Sequence, residues 1–173
     1  GAAADKMMNL EEVAAVAEKA LENIRTMGVA LSPCIVPKVG KPTFTIAEDE
    51  IEVGMGIHGE AGIEVKKMMT ADEIAETLVS TIVKDMPLAD GDEVSVMVNG
   101  LGGTPMEEQL IVYRKVHQIL SGMGVSVVMP HIGEYATSME MAGLSVTIFK
   151  LDAQLKELLQ APAESPFYTN ANK

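Results

Sequence analysis

Two capping boxes fix where helices begin in this chain. Asn9 is followed three residues later by Glu12, and Thr70 by Glu73. In that pattern a short polar side chain and a carboxylate reciprocally satisfy the orphan N–H groups of a first helical turn. Each box opens an apolar stripe at helical spacing: Val13, Val16, Ala17, Ala20, Leu21 and Ile24 after the first, Ile74, Leu78 and Ile82 after the second. Gly28 supplies a stop for the first helix, and the second is predicted to reach about Lys84. Thr104 is expected to cap another helix, with Pro105 at its first position and Glu107 at its third, and Leu110, Ile111, Val116, Ile119 and Leu120 facing inward. Asp152 caps a short helix ending near Leu159.

Between these helices lie strand-like runs. Val29 to Leu31 is a short apolar piece, and Ser32 to Pro42 a stiff, proline-rich connection. Thr43 to Ile46 and Ile51 to Ile57 read as strands joined by Ala47-Glu48-Asp49-Glu50, a link so short that it permits only an antiparallel hairpin. Glu93 to Val98, Val125 to Met129 and Leu144 to Phe149 complete the set. Helices and strands thus alternate, which predicts an α/β domain with a mixed β-sheet covered by helices in two layers. Residues 1–160 are expected to form that domain, and 161–173 a polar tail that lies over the surface or frays.

A chain of 173 residues can bury its own core, and 47% hydrophobic with 22% charged residues is ordinary for a soluble globular protein. The formal net charge of -12 opposes nucleic acid and anionic lipid as partners. Cys34 is the single cysteine, so no internal disulfide forms, and no apolar run approaches the ~20 residues of a membrane span. A cytoplasmic location is expected. Residue 1 is Gly, and Gly1-Ala2-Ala3-Ala4-Asp5 reads like helix interior, so the chain is expected to begin inside a longer protein.

The segment Gly54-Met55-Gly56-Ile57-His58-Gly59-Glu60-Ala61-Gly62 places a histidine among glycines at the end of a strand-like run. Glycine permits positive φ and close approach of a ligand, and imidazole can present a neutral nitrogen near neutral pH. His58 is therefore the candidate nucleophile, weighed against an ordinary structural histidine. The letters also satisfy G-x-G-x-x-G, but Gly54 and Gly56 fall within the strand and the next helix signal is Thr70, so the dinucleotide reading fails on context. Asn99-Gly100-Leu101-Gly102-Gly103-Thr104-Pro105 has strand–turn–helix character without the Lys-Ser/Thr ending of a P-loop. A tight turn packed against a neighbouring segment is preferred there to an anion cradle. His117, within a helix, and His131, in a loop after a strand, carry no assigned role. The histidines lack paired spacing, so no metal site is expected.

Gly56-Ile57-His58-Gly59-Glu60-Ala61-Gly62 resembles the G-I-H-G-E-P-G signature of dihydroxyacetone kinases, in their substrate-binding subunit. Met27 to Cys34, Val39 to Phe44, Asn99 to Pro105, Thr137 to Gly143 and Leu159 to Pro162 are similar to further segments of that family, in family order. The resemblance implies the C-terminal domain of a Dak1/DegV-like fold, with the N-terminal domain absent. It implies that His58 anchors dihydroxyacetone as a covalent hemiaminal for phosphorylation to dihydroxyacetone phosphate. It further implies a homodimer and, because the chain stops soon after Pro162, a phosphotransferase-system enzyme in which a separate ADP-carrying subunit donates the phosphoryl group. No cofactor is then held by this chain, and the fragment alone is expected to be inactive. The alternatives are a non-catalytic dihydroxyacetone-sensing paralogue that acts as a transcriptional co-regulator, and a kinase of a related ketose such as erythrulose. Ala61 departs from the family's usual proline, a change expected to loosen the loop without touching the reacting atom.

Overall fold

The computed structural model describes residues 1–57 and 62–171. In chain order the elements are α1 (Ala2–Asp5), α2 (Leu10–Glu22), β1 (Ile24–Ala30), β2 (Glu50–Val53), β3 (Glu64–Lys67), α3 (Ala71–Asp85), β4 (Glu93–Gly100), α4 (Met106–Gly122), β5 (Ser126–Gly133), β6 (Gly143–Leu151), α5 (Ala153–Leu159), β7 (Ala163–Glu164) and β8 (Thr169–Asn170). The main sheet has six strands in the order β3-β2-β1-β6-β4-β5, antiparallel throughout except for the parallel β4–β5 pair. That pair is joined through α4, the crossover a parallel connection requires. The mixed α/β sheet expected from the alternation is what forms.

Both capping boxes form as written. Asn9 Oδ1 accepts from the Glu12 N–H while the Glu12 carboxylate accepts from the Asn9 N–H, and Thr70 and Glu73 do the same. Period-two alternation decides the rest. Val94, Val96 and Val98 of β4 and Val146 and Ile148 of β6 are fully buried on one face, against Leu78, Val79 and Ile82 of α3 and Val116 and Leu120 of α4. Each such side chain contributes about 1.5–3 kcal/mol through burial, so this layer is the principal core. On the opposite face β1, β4 and β6 present Ile24, Ser95, Met97, Thr147 and Phe149 around a cavity of about 590 Å³, closed at one side by α1, α5 and the tail.

Several local expectations are corrected. The first helix ends at Glu22 and Gly28 lies inside β1, so Ile24 belongs to a strand. Asn23 stops the helix instead, its side chain donating to the Lys19 carbonyl. None of the α2 residues is fully buried, and Leu21 is exposed. Residues 43–46 form no strand. Thr43 is tied back to the Cys34 carbonyl through both its N–H and its hydroxyl, and Phe44 packs into a second, smaller core. β2 takes β3 as its hairpin partner, a strand hidden in the sequence because its edge position leaves Glu64-Val65-Lys66-Lys67 largely solvated. Charged edge strands of this kind resist further pairing.

Pro105 rather than Thr104 occupies the N-cap of α4, and Leu110 and Ile111 are exposed while Gln109 and Val112 point inward. His131 lies within β5 and not in a loop. The tail folds as the small β7–β8 hairpin over the surface.

Candidate functional site

β1 and β4 both pair antiparallel to β6, so they run in the same direction, and β5 is parallel to β4. Their carboxyl ends therefore meet at one edge of the molecule, the usual ligand side of an open α/β sheet. Four segments converge there: the connection after β1, the segment after β2, the glycine-rich turn after β4 and the loop before β6. They enclose a small core of Ala30, Cys34, Met55, Leu101 and Met141, with Phe44 and Ile57 packed on it.

The glycine segment after β2 is held at both ends. Gly54 has φ +81, and its N–H donates to the Gly28 carbonyl at 2.7 Å. Gly28 lets that backbone lie against β1, because a Cβ there would stand 3.3 Å from the Met55 carbonyl oxygen. Met55 then buries its side chain in the small core, and Ile57 follows. His58, the candidate nucleophile, lies outside the described residues together with Gly59, Glu60 and Ala61. On the return, the Gly62 N–H donates to Glu52 Oε1 at 2.6 Å and the Ile63 N–H to the Val53 carbonyl at 2.9 Å. A side chain at Gly62 would stand 2.6 Å from both Glu52 Cγ and the Val53 carbonyl oxygen, so only glycine fits.

The turn after β4 is a packed connector. Gly102 has φ +113, and a Cβ there would collide with the Met139 carbonyl oxygen. The Leu101 N–H donates to the Gly143 carbonyl, the Gly103 N–H to the Met141 carbonyl and the Ser138 N–H to the Leu101 carbonyl. Thr104 spends its hydroxyl accepting from the Gly143 N–H at 2.8 Å. The backbone donors that an anion cradle would need are thus largely committed, as the tight-turn reading anticipates. Buried Asn99 ties the neighbouring loop in place, accepting from the Tyr135 and Ala136 N–H groups and donating to the Ala136 carbonyl, each at 2.8 Å. Gln109 braces the turn from α4, donating to the Thr104 carbonyl and to Glu134.

The other two histidines stand away from this edge. His117 is exposed on α4 beside Ser121. His131 faces the 590 Å³ cavity, where Nε2 lies 3.0 Å from the Tyr168 hydroxyl and Tyr135 meets the ring edge-on. Burial holds its pKa below the ordinary imidazole value, against a weaker opposing effect of the Met129 backbone. Among the described residues no group of three or more His, Cys, Asp or Glu is placed to hold a metal ion, and no helix is long and apolar enough to cross a membrane. Sequence reasoning passed over Glu52, Asn99 and Gln109. A signal existed for Glu52, an acid set between Ile51 and Val53 just before the glycine run.

The sequence matches the Dak1 domain over residues 1–167. It is 45% identical over 166 residues to the dihydroxyacetone-binding subunit DhaK of a PTS-dependent dihydroxyacetone kinase from Listeria innocua, covering 96% of this chain and 50% of that protein. It is 46% identical over 171 residues to an L-erythrulose kinase from Pectobacterium atrosepticum, covering 96% of this chain and 29% of the relative. The fold superposes on a dihydroxyacetone kinase operon co-activator, Dha-DhaQ, with TM-score 0.83 and 32% identity over 95% of this chain and 49% of the other. A DegV lipid-binding protein from Thermotoga maritima shares the fold alone, at TM-score 0.60 and 12% identity over 86% of this chain and 51% of that one. The chain spans half or less of the length of these curated relatives.

Proposed function

Because this chain belongs to the Dak1 domain family, we propose that it is the ketone-capturing part of a dihydroxyacetone kinase's substrate-binding subunit, with His58 as the nucleophile. The observation that carries the reading is the 45% identity to a dihydroxyacetone-binding subunit across 96% of the chain, the segment 54–62 included. The described ends of that segment support it, since the Gly54 N–H is bonded to Gly28 of β1 and the Gly62 and Ile63 N–H groups to Glu52 and Val53 of β2.

The chemistry asks for a neutral imidazole. The lone pair of one ring nitrogen adds to the carbonyl carbon of dihydroxyacetone, and the C=O π pair moves onto oxygen. That oxygen takes up a proton while the other ring nitrogen releases one, so the hemiaminal gains the mass of a whole substrate molecule. Glycerol has no carbonyl and cannot react, which gives a discrimination that hydrogen bonds to a three-carbon polyol would struggle to supply. Capture also fixes a terminal hydroxyl for phosphoryl transfer, where positioning provides much of the rate. The donor in this reading is a separate ADP-carrying subunit of a phosphotransferase-system enzyme, and the chain itself holds no cofactor.

Intact-mass measurement of the chain soaked in dihydroxyacetone tests the assignment. The wild type gains one substrate mass, decreasingly as falling pH protonates the ring, and His58→Ala gains none. Retention of the added mass by His58→Ala would sink the assignment. The co-activator's 0.83 TM-score at 32% identity favours a second reading, a sensor that uses the same capture without phosphoryl transfer. Turnover of dihydroxyacetone by the full-length protein with a phosphoryl-donor subunit separates the two.

A further inference from the structure

We propose that Glu52 is a positioning residue for ketone addition at His58, acting through its hydrogen bond to Gly62. The proposal rests on the reading of His58 above. Glu52 sits on β2 between Ile51 and Val53, both of which point into the principal core. Strand alternation therefore sends its side chain to the opposite face, and a one-residue slip that let it escape would expel Ile51 and Val53 from the core. It pairs in register with Ala30, so it shares a face with the small core that takes up Met55 and Ile57.

A carboxylate there is 9% exposed, and burying one is costly unless strong hydrogen bonds replace the lost water. The Gly62 N–H supplies such a bond, donating to Glu52 Oε1 at 2.6 Å.

The two arms of the segment are thus held by different devices. The outgoing arm is held by apolar burial of Met55 and Ile57 and by the Gly54 bond to β1. The returning arm rests directly on the Glu52 side chain, as the 2.6 Å approach of a Gly62 Cβ to Glu52 Cγ requires. Glu52 consequently fixes where the returning arm begins relative to Ile57, the residue that immediately precedes His58.

Three substitutions separate the bond from its charge. Glu52→Gln keeps an oxygen acceptor of the same reach without charge, Glu52→Asp keeps the charge but draws it back by a methylene, and Glu52→Ala removes both. Losing the hydrogen bond to Gly62 at a positioning group predicts that the alanine and aspartate variants form the dihydroxyacetone adduct about 10- to 100-fold more slowly, with glutamine, which still reaches Gly62, within about threefold of wild type. Thermal melting confirms that each variant compared is folded, and the Gln–Asp comparison stands even where the alanine variant does not fold.

An alanine variant that is folded and reacts at the wild-type rate overturns the proposal. So does the reverse order, aspartate fast and glutamine slow, which would assign the effect to charge acting through space. Amide exchange at Gly62 gives a reading independent of substrate: it accelerates in the aspartate and alanine variants, and unchanged exchange refutes the clamp. A wild type that forms no adduct at any pH instead refutes the role of His58, while Gly62 exchange still tests the clamp.

Discussion

Replacing Gly102 by alanine tests whether the glycine-rich turn is a packed connector. Gly102 sits at φ +113 and Gly91 at φ +86, so alanine at either position meets the left-handed penalty of about 1–2 kcal/mol. Their surroundings differ. A Cβ at Gly91 meets nothing within 4 Å, whereas one at Gly102 would run into the Met139 carbonyl oxygen. That oxygen belongs to backbone that cannot rotate away alone. Moving it disturbs the Ser138-to-Leu101 and Gly103-to-Met141 hydrogen bonds, at 2.9 and 2.8 Å, each contributing about 1 kcal/mol. Gly102→Ala is therefore expected to destabilise the fold by about 3–4 kcal/mol, and Gly91→Ala by about 1–2 kcal/mol. Urea denaturation of both variants measures the difference directly, provided the m-values agree. Equal midpoints for the two variants would refute the packed-turn account.

Thr70→Ala removes the hydroxyl that accepts from the Glu73 N–H and is expected to cost about 1 kcal/mol of stability, read by the same denaturation curve; no change would mean that α3 is held by packing alone. His131 gives a pH prediction. Its folded-state pKa is lowered, chiefly by burial, so the unfolded chain binds the proton more readily. The associated stability is present above about 6.5 and is lost as pH falls below that value towards the lowered folded pKa. Because Tyr168 sits on the tail against His131, limited proteolysis of residues 161–171 should accelerate on acidification, and a pH-independent cleavage rate would contradict the argument.

Legibility followed the range of the interactions. Helix caps are local, so Asn9, Thr70 and Asp152 announce their helices and the structure honours all three. Thr104 misled because its hydroxyl serves a partner far along the chain, the Gly143 N–H. β3 was invisible because an edge strand needs no apolar alternation, and residues 43–46 imitated a strand while serving as a lid on Cys34 and Met55. Leu110 and Ile111 show the same limit: their spacing fits a helix, but which stripe faces the sheet depends on how α4 sits on β4 and β5. Glu52 could be noticed as an acid out of place, yet its partner at Gly62 emerges only when β2 and β3 pair.

By itself, then, the sequence determined the α/β class, the start of three helices and the family, through motifs that span the chain. The tertiary structure decided which strands pair, which face of the sheet is covered by α3 and α4, and which side chain holds Gly62 against β2. The division has one cause. Caps and glycine conformations are set by neighbours within a few residues. Pairing register and the burial of a carboxylate depend on partners that only folding brings together.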